Sequence, residues 1–251
     1  MAMKATVTVF VFLSLFGLNS SFYRKHYYVF ESMEWSRARE YCQTHHDDLS
    51  TASYEELQQL SDNSQLTDYY WIGLRDATYS ELWKWTGGED ATDVRWDNNE
   101  PDNWYEQCGC VKKSSSKVHD FHCSRKLPFY CMEVFELIVV QQKNTWEEAL
   151  EYCRQNYIDL ASLSSDVIMK EAEDKSTPAL TDDVWIGLRF IAGHWFWLNG
   201  EDLGYKVWSA AGELQCPAMD QRCGVYDVMN KVWKPADCEK RLNFLCVKTV
   251  G

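Results

Sequence analysis

Basic side chains are too few in this chain to support a nucleic-acid partner. Its 25 Lys and Arg stand against 38 Asp and Glu, a net charge of −13, and phosphate binding needs a basic face. Long apolar runs are scarce too. Beyond residue 18 nothing approaches the roughly 20 apolar residues that cross a bilayer, so no membrane span is expected. Cysteine or histidine pairs at zinc spacing are missing apart from Cys108 and Cys110, which we read as strand neighbours with different partners. No nucleophile elbow, phosphate loop or metalloprotease helix occurs, so no enzyme class has a motif behind it. The single glycosylation sequon, at Asn19, falls in the zone where an N-terminal signal would be cleaved, so no N-glycan is expected.

What is present begins with that signal. Lys4, the apolar run over 5–18 and the small polar Asn19, Ser20 and Ser21 fit a secretory signal peptide over residues 1–20. Ten cysteines in a chain bound for secretion to the extracellular space read as disulfides. Twelve tryptophans supply the bulk for a core in each half of the 251 residues.

The chain is an internal duplication. Trp35, Ala38, Tyr41 and Cys42 recur at helical spacing, and Trp146, Ala149, Tyr152 and Cys153 repeat them at identical intervals. The run Trp71, Ile72, Gly73, Leu74 returns letter for letter as Trp185, Ile186, Gly187, Leu188, and paired tryptophans precede glycine in both halves. The step from Cys108 to Cys123 equals that from Cys223 to Cys238, and the steps on to Cys131 and Cys246 match as well. The repeat therefore predicts Cys42 with Cys131, Cys108 with Cys123, Cys153 with Cys246 and Cys223 with Cys238. Cys110 and Cys216 have no counterparts; an interdomain bridge is the favoured expectation, with pairing between chains, giving a covalent dimer, or free thiols as the alternatives. Ser32 is the expected cap of the first helix, and Ser53 with Glu56 and Thr145 with Glu148 read as capping boxes. The link after Cys131 lacks Gly and Pro, so the expected domains, 22–132 and 133–251, should abut. His45, His46, Asp47 and Asp48 read as a polar helix end leading to Leu49.

Chemistry is concentrated between residues 100 and 131. Glu100, Asp102 and Glu106, interrupted by Pro101, are followed by His119 and Asp120 inside the cysteine frame. Acids gathered on a crosslinked loop suit a hard cation such as Ca2+, which takes several oxygen ligands in irregular geometry.

These residues resemble the C-type lectin-like domain family, over nearly the whole mature chain and as two short-form copies. The resemblance implies an α+β fold, two tandem domains each with two helices flanking antiparallel sheets, and a long loop region carrying a Ca2+ and sugar site. It implies Glu100, Asp102, Glu106, His119 and Asp120 as metal ligands, and Glu100, Asp102, Trp104, Glu106 and His119 as the sugar-contacting set. Pro101 is expected to be cis, turning its neighbours toward one ion. The resemblance thus implies a secreted, Ca2+-dependent lectin with a glycan or glycoprotein ligand, acting through its first domain. Asp102 and His119 stand where such sites carry amides, so hydrogen-bond donors are lost, and Glu100 with Asp102 mixes two sugar-specificity patterns. Trp104 either stacks on a sugar ring or packs under the loop. In the second copy the triplet is replaced by Gly212, Glu213, Leu214, Gln215, Cys216 and Pro217, and the last pair by Lys234 and Pro235, so no Ca2+ is expected there. The alternative function is a Ca2+-independent protein-interaction module with degenerate lectin sites.

Overall fold

The computed structural model describes residues 22–76, 82–102, 105–210, 212–213 and 216–250. The expected signal peptide and Trp104 lie outside the described residues. The first half runs β1 (Tyr23–Met33), α1 (Trp35–His45), β2 (Asp48–Leu49), α2 (Tyr54–Ser61), β3 (Tyr69–Arg75), β4 (Lys84–Trp85), β5 (Cys108–Lys112) and β6 (Lys117–Phe121), ending in β7 (Leu127–Asn144). The second half continues from β7 through α3 (Trp146–Asn156), β8 (Asp159–Leu160), α4 (Asp166–Ser176), β9 (Asp183–Ile191), β10 (His194–Trp197), β11 (Cys223–Asp227), β12 (Val232–Ala236) and β13 (Leu242–Thr249). This is the expected α+β architecture in tandem.

The helices form because their apolar residues fall on one face: Trp35, Ala38 and Cys42 are buried on α1, Trp146, Ala149 and Cys153 on α3. Both predicted capping boxes are made. Ser53 Oγ accepts from Glu56 N, and Glu56 accepts in return from Ser53 N; Thr145 and Glu148 do the same. The expected cap at Ser32 is corrected: β1 runs on to Met33, Glu34 becomes the N-cap, and no side chain caps α1.

The duplicated tryptophans make duplicated hydrogen bonds. Trp35 Nε1 donates to Ile72 O at 2.9 Å and Trp146 Nε1 to Ile186 O at 3.0 Å. Trp71 and Trp185, both fully buried, donate back to Met33 O and Asn144 O. The glycine of each run is required by close approach. A Cβ on Gly73 would meet Leu49 O at 2.7 Å, and one on Gly187 would meet Leu160 O at 2.9 Å.

All four predicted disulfides are present, with Cα separations of 5.2 to 5.4 Å. The favoured interdomain bridge is corrected. Cys110 is a free thiol inside the first core on β5, whereas Cys216 is free and exposed on the second half's loop. Enclosure also keeps Cys110 from pairing between chains.

The halves meet through β7, an 18-residue strand. Its first part pairs with β1, from Met33 opposite Leu127 to Tyr23 opposite Phe135, and its second part pairs with β13 from Phe135 to Asn144. The expected boundary at 132/133 falls inside this strand. Tyr23, 3% exposed, stacks on Phe135 and sits in the core of the second half beside Leu137 and Leu163.

Candidate functional site

The loop between β4 and β5 and the strand β6 bring the acidic residues together. The Glu100 to Pro101 bond is cis, as expected, and Asn99 before it holds a positive φ of 66°. That turn returns the chain so that Asp102 N donates to Asp120 Oδ1 at 3.2 Å. One carboxylate oxygen each from Glu100, Asp102 and Asp120 then lies within 4.8 Å of the other two. Asp120 is buried on β6 and Asp102 is exposed at the mouth.

Electrostatics follow from this crowding. Burial, and then the Asp120 and Asp102 carboxylates, push Glu100 up to about 8. Burial and the same two neighbours raise Glu106, which stands outside the tight triad but within its field. Glu100 Oε2 is buried and meets no hydrogen-bond donor, a costly state for a carboxylate oxygen.

His119 does not join the triad. Its Nδ1 lies 2.6 Å from Glu100 Oε1 and its Nε2 lies 3.1 Å from Asp97 Oδ2. Asp97 was not among the expected site residues, because it precedes the acid triplet and carries no motif of its own; only its spacing, three residues before Glu100, hinted at it. The backbone N–H of Asn98, then His119 and Ser115, hold Asp97 down at about 2. The imidazole thus bridges the two acids, one at each ring nitrogen, and its tautomer decides which end donates.

A family model, the Lectin C-type domain, matches residues 31–133 and again 142–248. The chain belongs to the C-type lectin domain family, as a tandem pair. Human lymphocyte antigen 75 is 22% identical over 253 residues, which cover 86% of this chain and 14% of that protein. Mouse C-type mannose receptor 2 is 24% identical over 255 residues, covering 86% of this chain and 17% of that receptor. The chain thus spans about a sixth or less of the length of these relatives. Among solved structures, the mouse scavenger receptor C-type lectin carbohydrate-recognition domain has 26% identity and a TM-score of 0.41, covering 44% of this chain and 89% of that one.

The two C-type lectin domains differ at the site. Of the residues replacing the second triplet, Leu214 and Gln215 lie outside the described residues. Among the described residues, no convergent acid triad occurs in the second domain. Lys234, at the position of His119, instead places Nζ 2.7 Å from Asp183 and 2.8 Å from Asp227. Burial of Asp227 opposes its ionisation, but Lys234 and Asn230 outweigh it and hold the carboxyl near about 2.

Proposed function

We propose that this protein binds glycans through a Ca2+ ion held in its first domain by Glu100, Asp102 and Asp120, with Glu106 adding negative charge beside them. The observation that carries this reading is the convergence of the Glu100, Asp102 and Asp120 carboxylates, with the buried Oε2 of Glu100 left without a hydrogen-bond partner. Oxygen-only donors in irregular loop geometry suit Ca2+ rather than a transition metal. When bound, the ion supplies positive charge and coordination positions for sugar hydroxyls. The chain's own part is to accept hydrogen bonds from those hydroxyls through Glu100, Asp102 and Glu106, and to orient Glu100 through His119. Trp104 remains a candidate sugar-stacking residue within this proposal.

The second domain acts as a support or protein-contact domain without Ca2+, a reading favoured by the ammonium of Lys234 lodged between two carboxylates. Four disulfides suit an oxidising compartment, and secretion is part of the proposal. Among the described residues no helix is long and apolar enough to cross a membrane.

The test is a glycan array probed with the intact protein in Ca2+ and again in chelator. Sugar binding that chelator removes, and that Glu100→Ala abolishes, is the expected result. Silence across the array in Ca2+ would turn the assignment toward Ca2+-independent protein contact.

A further inference from the structure

The duplication allows each surface of one domain to be compared with its counterpart in the other. One such pair differs in a telling way. In the second domain, a groove beside the turn after β10 is filled by the first domain's own β1. Tyr23 stacks on Phe135 at 5.5 Å, Lys25 lies over the same ring at 5.5 Å, and the Lys25 ammonium pairs with Glu201, which also receives a hydrogen bond from Ser164 just ahead of α4. An aromatic side chain and a cation two residues later thus dock onto a carboxylate and a ring.

The equivalent groove of the first domain is open. The turns correspond bond for bond: Gly88 N donates to Trp85 O at 2.8 Å as Gly200 N does to Trp197 O at 3.0 Å, and Thr86 N reaches Gly73 O as Leu198 N reaches Gly187 O. Glu89 therefore stands where Glu201 stands. Tyr27 faces Cys131 as Ile138 faces Cys246, so Arg24 holds the place of Phe135. The groove has a volume of about 700 Å3 and is lined by Arg24, Ser53, Tyr54, Trp85, Glu89 and Asp93, among others. Glu89 has no ion-pair partner among the described residues and is exposed, whereas Glu201 is paired and half-buried. Both arginines of the groove are laid over aromatic rings, Arg24 on Phe22 and Arg95 on Tyr54. Asp90 is paired with Lys84, whereas Glu55, Glu89 and Asp93 have no ion pair among the described residues, and lysine or arginine from outside is what these three lack.

We infer that this groove is a docking site for a partner polypeptide that presents an extended segment with an aromatic residue followed two positions later by lysine or arginine, as Tyr23 and Lys25 do on the second domain. The cation meets Glu89, and the aromatic ring lies against the guanidinium of Arg24, which holds the place of Phe135, with Trp85 lining the same groove. This surface is independent of the proposed Ca2+ site, so its occupancy persists in chelator.

The experiment uses the full chain and a synthetic peptide copying residues 22–28, FYRKHYY, followed by NMR at the Trp85 indole and the Glu89 amide in the presence of chelator. Saturable shifts at these two groups at millimolar peptide are expected. Glu89→Lys should weaken binding roughly tenfold or more, the peptide FYREHYY should bind as weakly, and Glu201→Gln should leave the shifts at Trp85 and Glu89 unchanged. Absence of shifts at these groups at millimolar peptide would overturn the inference. So would equal binding of a scrambled peptide of the same charge, or binding that survives Glu89→Lys with the variant folded as judged by its own amide spectrum. Loss of glycan binding on the array bears on neither result.

Discussion

Asp97 and Glu100 face the two nitrogens of one imidazole, yet the first is held near about 2 and the second is pushed up to about 8. Asp97 gains backbone and side-chain donors; at Glu100, burial and the Asp120 and Asp102 carboxylates outweigh the backbone N–H of Asp120. The signs for stability follow. Without a cation, the folded chain keeps a proton on Glu100 that the unfolded chain releases above its ordinary 4.5, so stability falls as pH rises from there toward about 8. Asp97 acts oppositely: its contribution is present above the ordinary 3.8 and is lost as pH falls through about 2. A cation must displace the Glu100 proton, so Ca2+ affinity should rise by roughly tenfold per pH unit below about 8 and level off above it. Calorimetry in buffers of different ionisation enthalpy would measure the released proton. Asp120→Asn should abolish Ca2+ binding in the same titration and bring the Glu100 carboxyl down toward its ordinary range, read by carboxyl NMR. The triad and the cis proline were legible in the sequence because they fall inside one short motif. The contacts of His119 were not: a residue beside an acid in sequence can turn to different acids in space, and Asp97 is brought to it by a turn that only its spacing before Glu100 hinted at.

At the scale of elements, caps and cross-strand charges hold the two domains' loops in place. Ser53→Ala and Thr145→Ala should each cost about 1 kcal/mol in denaturant unfolding, since each removes a side chain that satisfies an orphan helix N–H. Lys234 on β12 crosses to Asp183 on β9 and Asp227 on β11. Lys234→Ala should cost roughly 1–3 kcal/mol, because it strips the hydrogen-bonded cation from Asp227, whose side chain is 9% exposed. The same denaturation curves would report it. Helix faces, capping boxes and the disulfide frame were readable because the repeat stated each of them twice or nearly so. The failed cap at Ser32 has a plain cause: the strand before α1 runs on through Ser32 to Met33, and a serine inside a strand cannot cap the helix beyond it.

Across the whole molecule, the domains are joined by packing as well as by chain. Tyr23 belongs to the first domain's sequence and to the second domain's core, and Lys25 pairs with Glu201 beside it. The molecule should therefore melt in a single calorimetric transition, and Tyr23→Ala, at a cost of about 3 kcal/mol by analogy with large aromatic truncations, should split or broaden it. Close abutment was readable from a link without Gly or Pro, but the absence of a Cys110 to Cys216 bridge was not, since pairing depends on where a loop points and on which thiol is enclosed.

The unbroken β7 has a consequence for dissecting the protein. Any cut between residues 127 and 144 assigns a ladder rung to one fragment and removes it from the other, leaving that fragment with bare amides and carbonyls along a sheet margin. Separately expressed fragments are then poor mimics of the intact pair, unless each is given its own copy of the segment they share.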